Sequence, residues 1–159
     1  MMKEHKYQAV ITWTGNLGKG TSSYREYERS HSIETEGKKV IEGSSDPAFR
    51  GDSSKHNPED LFLSSISSCH MLWFLHLCTV EKIVVTNYID RAEGIMKENK
   101  DGSGFFEEVT LKPEVTVLEE RMAEKLDSLH EKANKMCFIA NSCNFPIHHK
   151  ATSKTALAS

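Results

Sequence analysis

Residues 61–80 contain no Asp, Glu, Lys or Arg, and this uncharged run constrains the fold more than any other feature of the sequence. A run of this length is long enough to span a bilayer as a helix. Only eleven of its positions are strongly apolar, however, because it also contains four Ser, two His, two Cys and one Thr. A helix with one side in water would carry a charged stripe. We therefore expect a helix that is buried on nearly all sides in a soluble protein.

A chain of 159 residues has the length of about one domain, and we take residues 1–159 as a single domain. Such a short chain rarely surrounds a helix completely on its own. The small side chains of Ser64, Ser65, Ser67 and Ser68 let another helix or backbone approach this run closely. Pairing of two identical copies is the simplest way to cover the exposed side of the helix, so we expect a homodimer.

The charge balance excludes one class of partner. Twenty Lys and Arg against 23 Asp and Glu give a formal charge of −3, which leaves no basic excess for a phosphate backbone, so we expect no nucleic-acid partner. The first seven residues show no secretory signal, and we expect a cytoplasmic protein without a membrane partner. Four cysteines are too few for a disulfide scaffold, and thiols in that compartment stay reduced unless they carry out chemistry or bind metal.

The order of predicted elements indicates an α+β fold. The uncharged run follows a strong helix start, with Asn57 as the N-cap and Pro58 as the first helical residue. Apolar residues at spacings of three and four predict an amphipathic helix over residues 119–135. Strands are predicted over residues 7–14, 22–34, 39–42, 83–92, 109–118 and 147–153, with a turn at 99–104. Strands, a buried helix, strands, a surface helix and a last strand are typical of α+β proteins rather than of a doubly wound parallel sheet.

Two cysteines occupy positions where chemistry is possible. Cys69 lies in the middle of the uncharged helix, and Cys137 follows the amphipathic helix. Taken alone, a buried cysteine is more often a small hydrophobic residue than a nucleophile. A zinc site of Cys137, Cys143, His148 and His149 is the alternative, but adjacent histidines on a strand point to opposite faces and the thiol spacing is unusual for structural zinc. We therefore predict no metal ion.

Several of these motifs resemble the OsmC/Ohr family of thiol-dependent peroxidases. The resemblance rests on NPEDL at 57–61, SSCH at 67–70 and CFIANS at 137–142, and TWTG at 12–15, GKG at 18–20 and AFRG at 48–51 agree with it. It covers most of the chain. It implies an OsmC-like α+β fold in which antiparallel sheet wraps buried central helices in an intertwined homodimer. It also implies reduction of an organic hydroperoxide substrate at a site on the subunit interface.

The resemblance further implies roles for four residues. Cys69 attacks the peroxide as a thiolate and becomes a sulfenic acid, and Cys137 condenses with it to a disulfide. Arg50 holds the thiolate and polarises the peroxide, while Glu59 orients the arginine through a two-pronged salt bridge. An external dithiol, on a lipoylated or thioredoxin-like protein, then reduces the disulfide. No cofactor is implied.

Some alternatives stay open at this stage. Arg25 or Arg29 could serve in place of Arg50. A non-catalytic member of the same fold, holding a small apolar molecule, is the alternative function. Glu59 precedes Cys69 by ten residues, about 15 Å along one helix, so the two side chains cannot meet within it. If Glu59 and the arginine serve Cys69, we expect them to come from the partner subunit.

The sequence also supports expectations for the other cysteines, for three histidines and for the apolar surroundings of Cys69. Cys137 is preferred over Cys143 as the resolving thiol because it matches the family's second cysteine and follows the end of a helix. Cys78 lies on the opposite side of the helix from Cys69 and is expected to be inert core. His70 is expected to donate to backbone or to pocket water. The remaining expectations are that His130 and His148 are ordinary surface histidines and that the apolar surroundings of Cys69 are Phe62, Leu72, Trp73 and Phe74.

Overall fold

The computed structural model describes residues 2–156. Contacts between residues divide them into two compact units, one up to Phe62 and the other from Leu63 onward. Helix α1 (Pro58–Val80) begins in the first unit and continues into the second. The mixture of helices with antiparallel and parallel strands confirms the predicted α+β class.

The first unit contains one antiparallel sheet of three short strands. Their order is β1 (Val10–Trp13), β2 (His31–Glu34) and β3 (Ile41–Gly43). All buried hydrophobic residues of the described chain lie from Ile66 onward, so this sheet has no apolar core of its own. Ile11 on β1 is 63% exposed.

The predicted strand at residues 22–34 is wrong over most of its length. Only its last four residues are extended, and the preceding ones form turns and irregular chain. The reason is Arg29, whose guanidinium lies 4.3 Å from the ring centroid of Tyr24 and 4.2 Å from that of Tyr27. It also donates to the carbonyl oxygens of both tyrosines, which keeps this segment folded back on itself.

Helix α1 starts where the sequence predicts. The backbone N–H of Asp60 donates to Asn57 Oδ1 at 2.7 Å, and that of Asn57 donates to Asp60 Oδ2 at 3.3 Å. This reciprocal pair satisfies two backbone donors at a helix end that would otherwise lack partners. The start of α1 is therefore stabilised by contacts between residues only three positions apart.

The second unit contains two three-stranded sheets. Each sheet combines one antiparallel and one parallel pair, in the orders β4-β7-β9 and β5-β6-β8. The strands are β4 (Val85–Asp90), β5 (Glu93–Glu98), β6 (Gly104–Leu111), β7 (Pro113–Val117), β8 (Ile147–His149) and β9 (Thr152–Thr155).

Three chain segments pass directly from one of these sheets to the other, with one or two residues between their strands. The single strands predicted at 109–118 and 147–153 are therefore each two strands. Asp90, the last residue of β4, lies beside the break at Lys112: its Oδ1 accepts the backbone N–H of Lys112 at 2.7 Å, and its carboxylate also accepts from Ser67 of α1. Because Pro113 follows and has no N–H, the ladder is interrupted at this point and the carboxylate satisfies the donor next to it.

The second helix is shorter than predicted. Residues Glu120–Lys125 form a 3-10 helix, and α2 (Leu126–Met136) follows with Cys137 as its C-cap. The buried residues of α2 include Leu126, Leu129 and Ala133, which confirms the predicted amphipathic stripe. This stripe packs into the main core of the second unit, together with Phe74 of α1 and Val115 of β7.

Helix α1 buries one stripe within the chain rather than nearly all of its surface. The buried members are Ile66, His70, Phe74, Leu77 and Cys78. Leu72, on another side, is 63% exposed. By length and composition α1 is the one described helix that could cross a membrane, but this is weak evidence because a core helix of a soluble protein passes the same test. The single chain therefore leaves one side of α1 exposed, and the prediction that a second subunit covers this side stays a prediction.

Candidate active site

The packing of the second unit brings Cys69 and Cys137 together across 68 residues of sequence. Cys69 is partly exposed in the middle of α1, and Cys137 is 1% exposed at the end of α2. Their thiols lie close enough to interact. Burial, followed by the interaction with Cys69, raises the pKa of the Cys137 thiol to about 11. The Cys137 thiol therefore keeps its proton at neutral pH.

An apolar wall lies beside the thiol pair. Trp73 is one turn after Cys69 on α1, and Phe138 directly follows Cys137. Their rings meet edge to face with centroids 5.8 Å apart, and Phe138 is 66% exposed. Phe74, which was expected to share this role, is wholly buried in the core and cannot line an approach to Cys69.

The other two cysteines occupy different surroundings. Cys78 is 1% exposed within the core, where burial raises its pKa to about 11. This confirms the expectation that Cys78 is a core residue. Cys143 packs against the cluster of Ile66, Val109 and Leu111, and its thiol donates to the carbonyl of the residue four positions earlier at 3.3 Å. All four cysteines are free thiols.

A buried histidine cluster is the feature that the sequence reasoning missed. His130, expected on the surface, is 3% exposed and its Nδ1 lies 3.0 Å from Nε2 of His70. The ring centroids of His149 and His70 are 4.5 Å apart. The signal was present: His130 follows Leu129 and precedes Ala133 by three positions, which places it on the buried stripe of α2.

Burial keeps these imidazoles neutral. Burial is the main reason that the pKa of His70 is lowered to about 3, and the neighbouring His149 and His130 lower it further. Burial likewise lowers the pKa of His130 to about 4 and lowers that of His149. His148, by contrast, has a half-exposed side chain 3.6 Å from Glu108, as expected for a surface histidine. Among residues 2–156, no group of three or more His, Cys, Asp and Glu side chains is arranged to hold a metal ion.

The remaining predicted site residues belong to the first unit. Arg50 is exposed and has a left-handed backbone with φ of 65°, directly after a 3-10 turn at Pro47–Phe49. Glu59 lies in the first turn of α1, and its Oε2 is buried without a hydrogen-bond partner in the described chain. Within residues 2–156, no ion pair joins Arg50 to Glu59. Of the alternative arginines, Arg29 is engaged with its two tyrosines and Arg25 is exposed.

Comparison with known proteins identifies the architecture that holds these thiols. The family model for OsmC-like proteins matches residues 51–152. The chain belongs to the OsmC-like protein family. This membership confirms the resemblance that the NPEDL, SSCH and CFIANS segments carry, and the OsmC-like fold is a soluble one. No curated protein matches the chain significantly.

Solved structures agree with this assignment. An OsmC-like protein of unknown function from Vibrio cholerae is 28% identical, with a TM-score of 0.84 over 94% of this chain and 100% of that one. An organic hydroperoxide resistance protein from Elizabethkingia anophelis is 20% identical, with a TM-score of 0.70 over 98% and 100% of the two chains. One from Legionella pneumophila is 18% identical, with a TM-score of 0.69 over 96% and 99%. The latter two show the shared fold.

Proposed function

We propose that this protein is a cysteine-based peroxidase that reduces organic hydroperoxides. The observation that carries the proposal is that the Cys69 and Cys137 thiols lie close enough to interact. Two thiols in contact, one partly exposed and one buried, match the needs of a reaction in which the first is oxidised and the second resolves it. Family membership and the names of the hydroperoxide resistance proteins with the same fold support the same reaction class.

The reaction proceeds in three steps: oxidation of Cys69, formation of the disulfide and reduction of the disulfide. The Cys69 thiolate attacks the peroxide, so that an S–O bond forms, the O–O bond breaks, and the departing alkoxide takes up a proton to become an alcohol. Cys137 then loses its proton and attacks the sulfenic sulfur, which forms the disulfide and releases water. A dithiol on a lipoylated or thioredoxin-like protein reduces this disulfide and is itself oxidised.

The apolar wall supports an organic substrate. Trp73 and the largely exposed Phe138 stand next to the two thiols and can pack against an alkyl or aryl group. Hydrogen peroxide has no such group. We therefore assign organic hydroperoxides as the substrate class.

We also propose that two copies of the chain complete the site. The exposed side of α1 and the uncovered first-unit sheet support an intertwined homodimer. The buried, unpartnered Oε2 of Glu59 can accept a guanidinium, which supports Glu59 as the acid that orients Arg50. In this arrangement both residues act on Cys69 of the partner subunit. Residues 1–159 then form one OsmC-like domain, and we propose a cytoplasmic location.

Thiol titration tests the peroxidase. One equivalent of cumene hydroperoxide should remove two of the four thiols per chain, and the Cys143→Ser variant should still lose two. Cys137→Ser should lose one thiol, and under excess peroxide its Cys69 should proceed to sulfinic acid. A wild-type protein that keeps all four thiols would instead be a non-catalytic member of the fold that binds a small apolar ligand.

Complementation tests the shared site. A heterodimer of Cys69→Ser and Glu59→Gln chains, isolated through two different tags, contains one site with both Cys69 and Glu59 if the site spans the two subunits. Its activity should be about half that of the wild type, because one of its two sites is intact. If each site lies within one chain, both sites carry a substitution, and the heterodimer should be as inactive as its parents.

A further inference from the structure

A buried histidine pair joins the two helices that carry the candidate thiols. His70 directly follows Cys69 on α1, and His130 lies on α2, whose C-cap is Cys137. Nε2 of His70 and Nδ1 of His130 are 3.0 Å apart. The rings are 7° from parallel with centroids 5.3 Å apart, close to the N–N distance plus one ring radius on each side. The rings therefore meet end to end in one plane, which is good geometry for an N–H···N hydrogen bond.

The surroundings hold this pair in place. Phe74 stacks on the His130 ring with centroids 3.9 Å apart, and His149 lies 4.5 Å from the His70 ring. His70 and His130 are 1% and 3% exposed, so water does not compete for the bond. One imidazole donates and the other accepts when both are neutral. A buried polar contact of this kind is costly to break, since it leaves an unsatisfied group in the core.

The histidine contact and the thiol contact hold α2 at two separate points. His130 and Cys137 are seven residues apart, about 10 Å along a helix. A tilt of α2 by roughly 6° about the histidine pair would move the Cys137 sulfur by about 1 Å. A movement of this size matters for disulfide formation, because the S–S bond length and the separation of the two Cα atoms are narrowly defined.

We propose that His70 and His130 form a positioning pair that holds Cys137 against Cys69 and so sets the rate of disulfide closure. Neither histidine takes part in the bonds that form or break. The pair acts on the second step of the cycle, in which Cys137 attacks the sulfenic acid before more peroxide does. It therefore protects Cys69 from oxidation to sulfinic acid. This inference rests on the peroxidase function proposed above and adds what controls its resolving step.

Substitutions at His130 separate the hydrogen bond from the shape of the side chain. In His130→Asn the amide occupies roughly the position of Nδ1 and can keep the bond to His70, whereas His130→Leu removes it. Gln carries the same amide one methylene further out, so His130→Gln is a matched polar control that places the amide wrongly. The Asn variant should close the disulfide at nearly the wild-type rate, and the Leu and Gln variants should close it about tenfold more slowly.

The measurement follows the two steps separately. Consumption of the first equivalent of hydroperoxide reports the attack by Cys69, and it should be the same in all variants. Loss of the second thiol reports closure, and mass spectrometry under excess peroxide reports the sulfinic acid that should accumulate in the Leu and Gln variants. Equal closure rates in the wild type, Leu and Gln variants would overturn the positioning role. If the Leu variant does not fold, the comparison of Asn with Gln decides, and equal rates in those two would overturn it.

Failure of the peroxidase itself has a different signature. A wild-type protein that loses no thiols with hydroperoxide would refute the proposed function, whatever the variants do. A wild-type protein that loses two thiols, with variants that close as fast, would refute the positioning pair and leave the peroxidase intact.

Discussion

Acidification from pH 7.5 to pH 5 should destabilise the fold through the buried imidazoles of His70 and His130. Burial lowers their pKa values to about 3 and about 4, whereas an imidazole in the unfolded chain has a pKa of about 6.5. Below pH 6.5 the unfolded chain therefore binds protons that the folded chain does not. The free energy of unfolding must fall as the pH falls, and the loss continues until the folded imidazoles titrate as well.

The expected loss is large for a domain of this size. Each pH unit below 6.5 removes about 1.4 kcal/mol per imidazole, so pH 5 removes about 2 kcal/mol for each and about 4 kcal/mol for the two. Whole domains are stable by about 5–15 kcal/mol. The pKa of His149 is lowered too, mainly by burial although Asp90 opposes it, so this third imidazole adds to the loss. Asp127, Glu131 and Lys150 line a cavity with His130 and His149 and are the other charged groups near the cluster.

Urea denaturation at fixed protein concentration measures this effect. Unfolding free energies at pH 7.5, 6.5, 5.5 and 5 should decrease in that order. His130→Asn removes one of the imidazoles and should reduce the loss of free energy between pH 7.5 and pH 5 by about 2 kcal/mol. His148→Asn, at a half-exposed side chain, is the matched control and should keep the wild-type pH dependence. A wild-type free energy that stays constant within about 1 kcal/mol between pH 7.5 and pH 5 would refute the reasoning.

Three further perturbations have defined outcomes. Phe74→Ala removes a wholly buried ring and should lower the free energy of unfolding, measured by urea denaturation, by about 3–5 kcal/mol. Phe105→Ala, at a ring 54% exposed, is the control and should lower it by less than about 1 kcal/mol. Similar losses in the two variants would contradict the assigned core. Gly51→Ala should lower the melting temperature or prevent folding, because a Cβ would come within 1.5 Å of the Ser45 carbonyl oxygen, and an unchanged melting temperature would show that this turn is arranged differently. Peptide mapping after hydroperoxide treatment should give the same disulfide in the wild type and in Cys143→Ser, and a wild-type bond that includes Cys143 would reassign the resolving thiol.

Local sequence signals predicted the two main helices well. Asn57 and Asp60 bond to each other at the start of α1, as an N-cap followed by an acidic first turn predicts. The apolar spacing around Leu129 places α2 on the core. These signals act between residues at most four positions apart, so they can be recognised without knowledge of the rest of the fold.

The strand breaks depended on contacts that no local pattern shows. Asp90 accepts the backbone N–H of Lys112 from 22 residues away and interrupts what the sequence presented as one continuous strand. The missed strand β5 (Glu93–Glu98) consists of exposed residues and lacks the alternation of a half-buried strand. Its extended conformation comes from pairing with β6, which is a tertiary contact.

The sequence by itself determined the family, the two helices and the kinds of side chain available for chemistry, because these depend on motifs and on neighbours along the chain. The tertiary structure decided which side chains meet. Four cysteines leave several pairings open, and only the packing of α1 on α2 brings Cys137 to Cys69. The same packing turned His130 from an expected surface residue into the buried partner of His70, 60 residues away. Contacts over such distances depend on how whole elements pack, and the free energy of that packing is spread over many residues rather than encoded in any one segment.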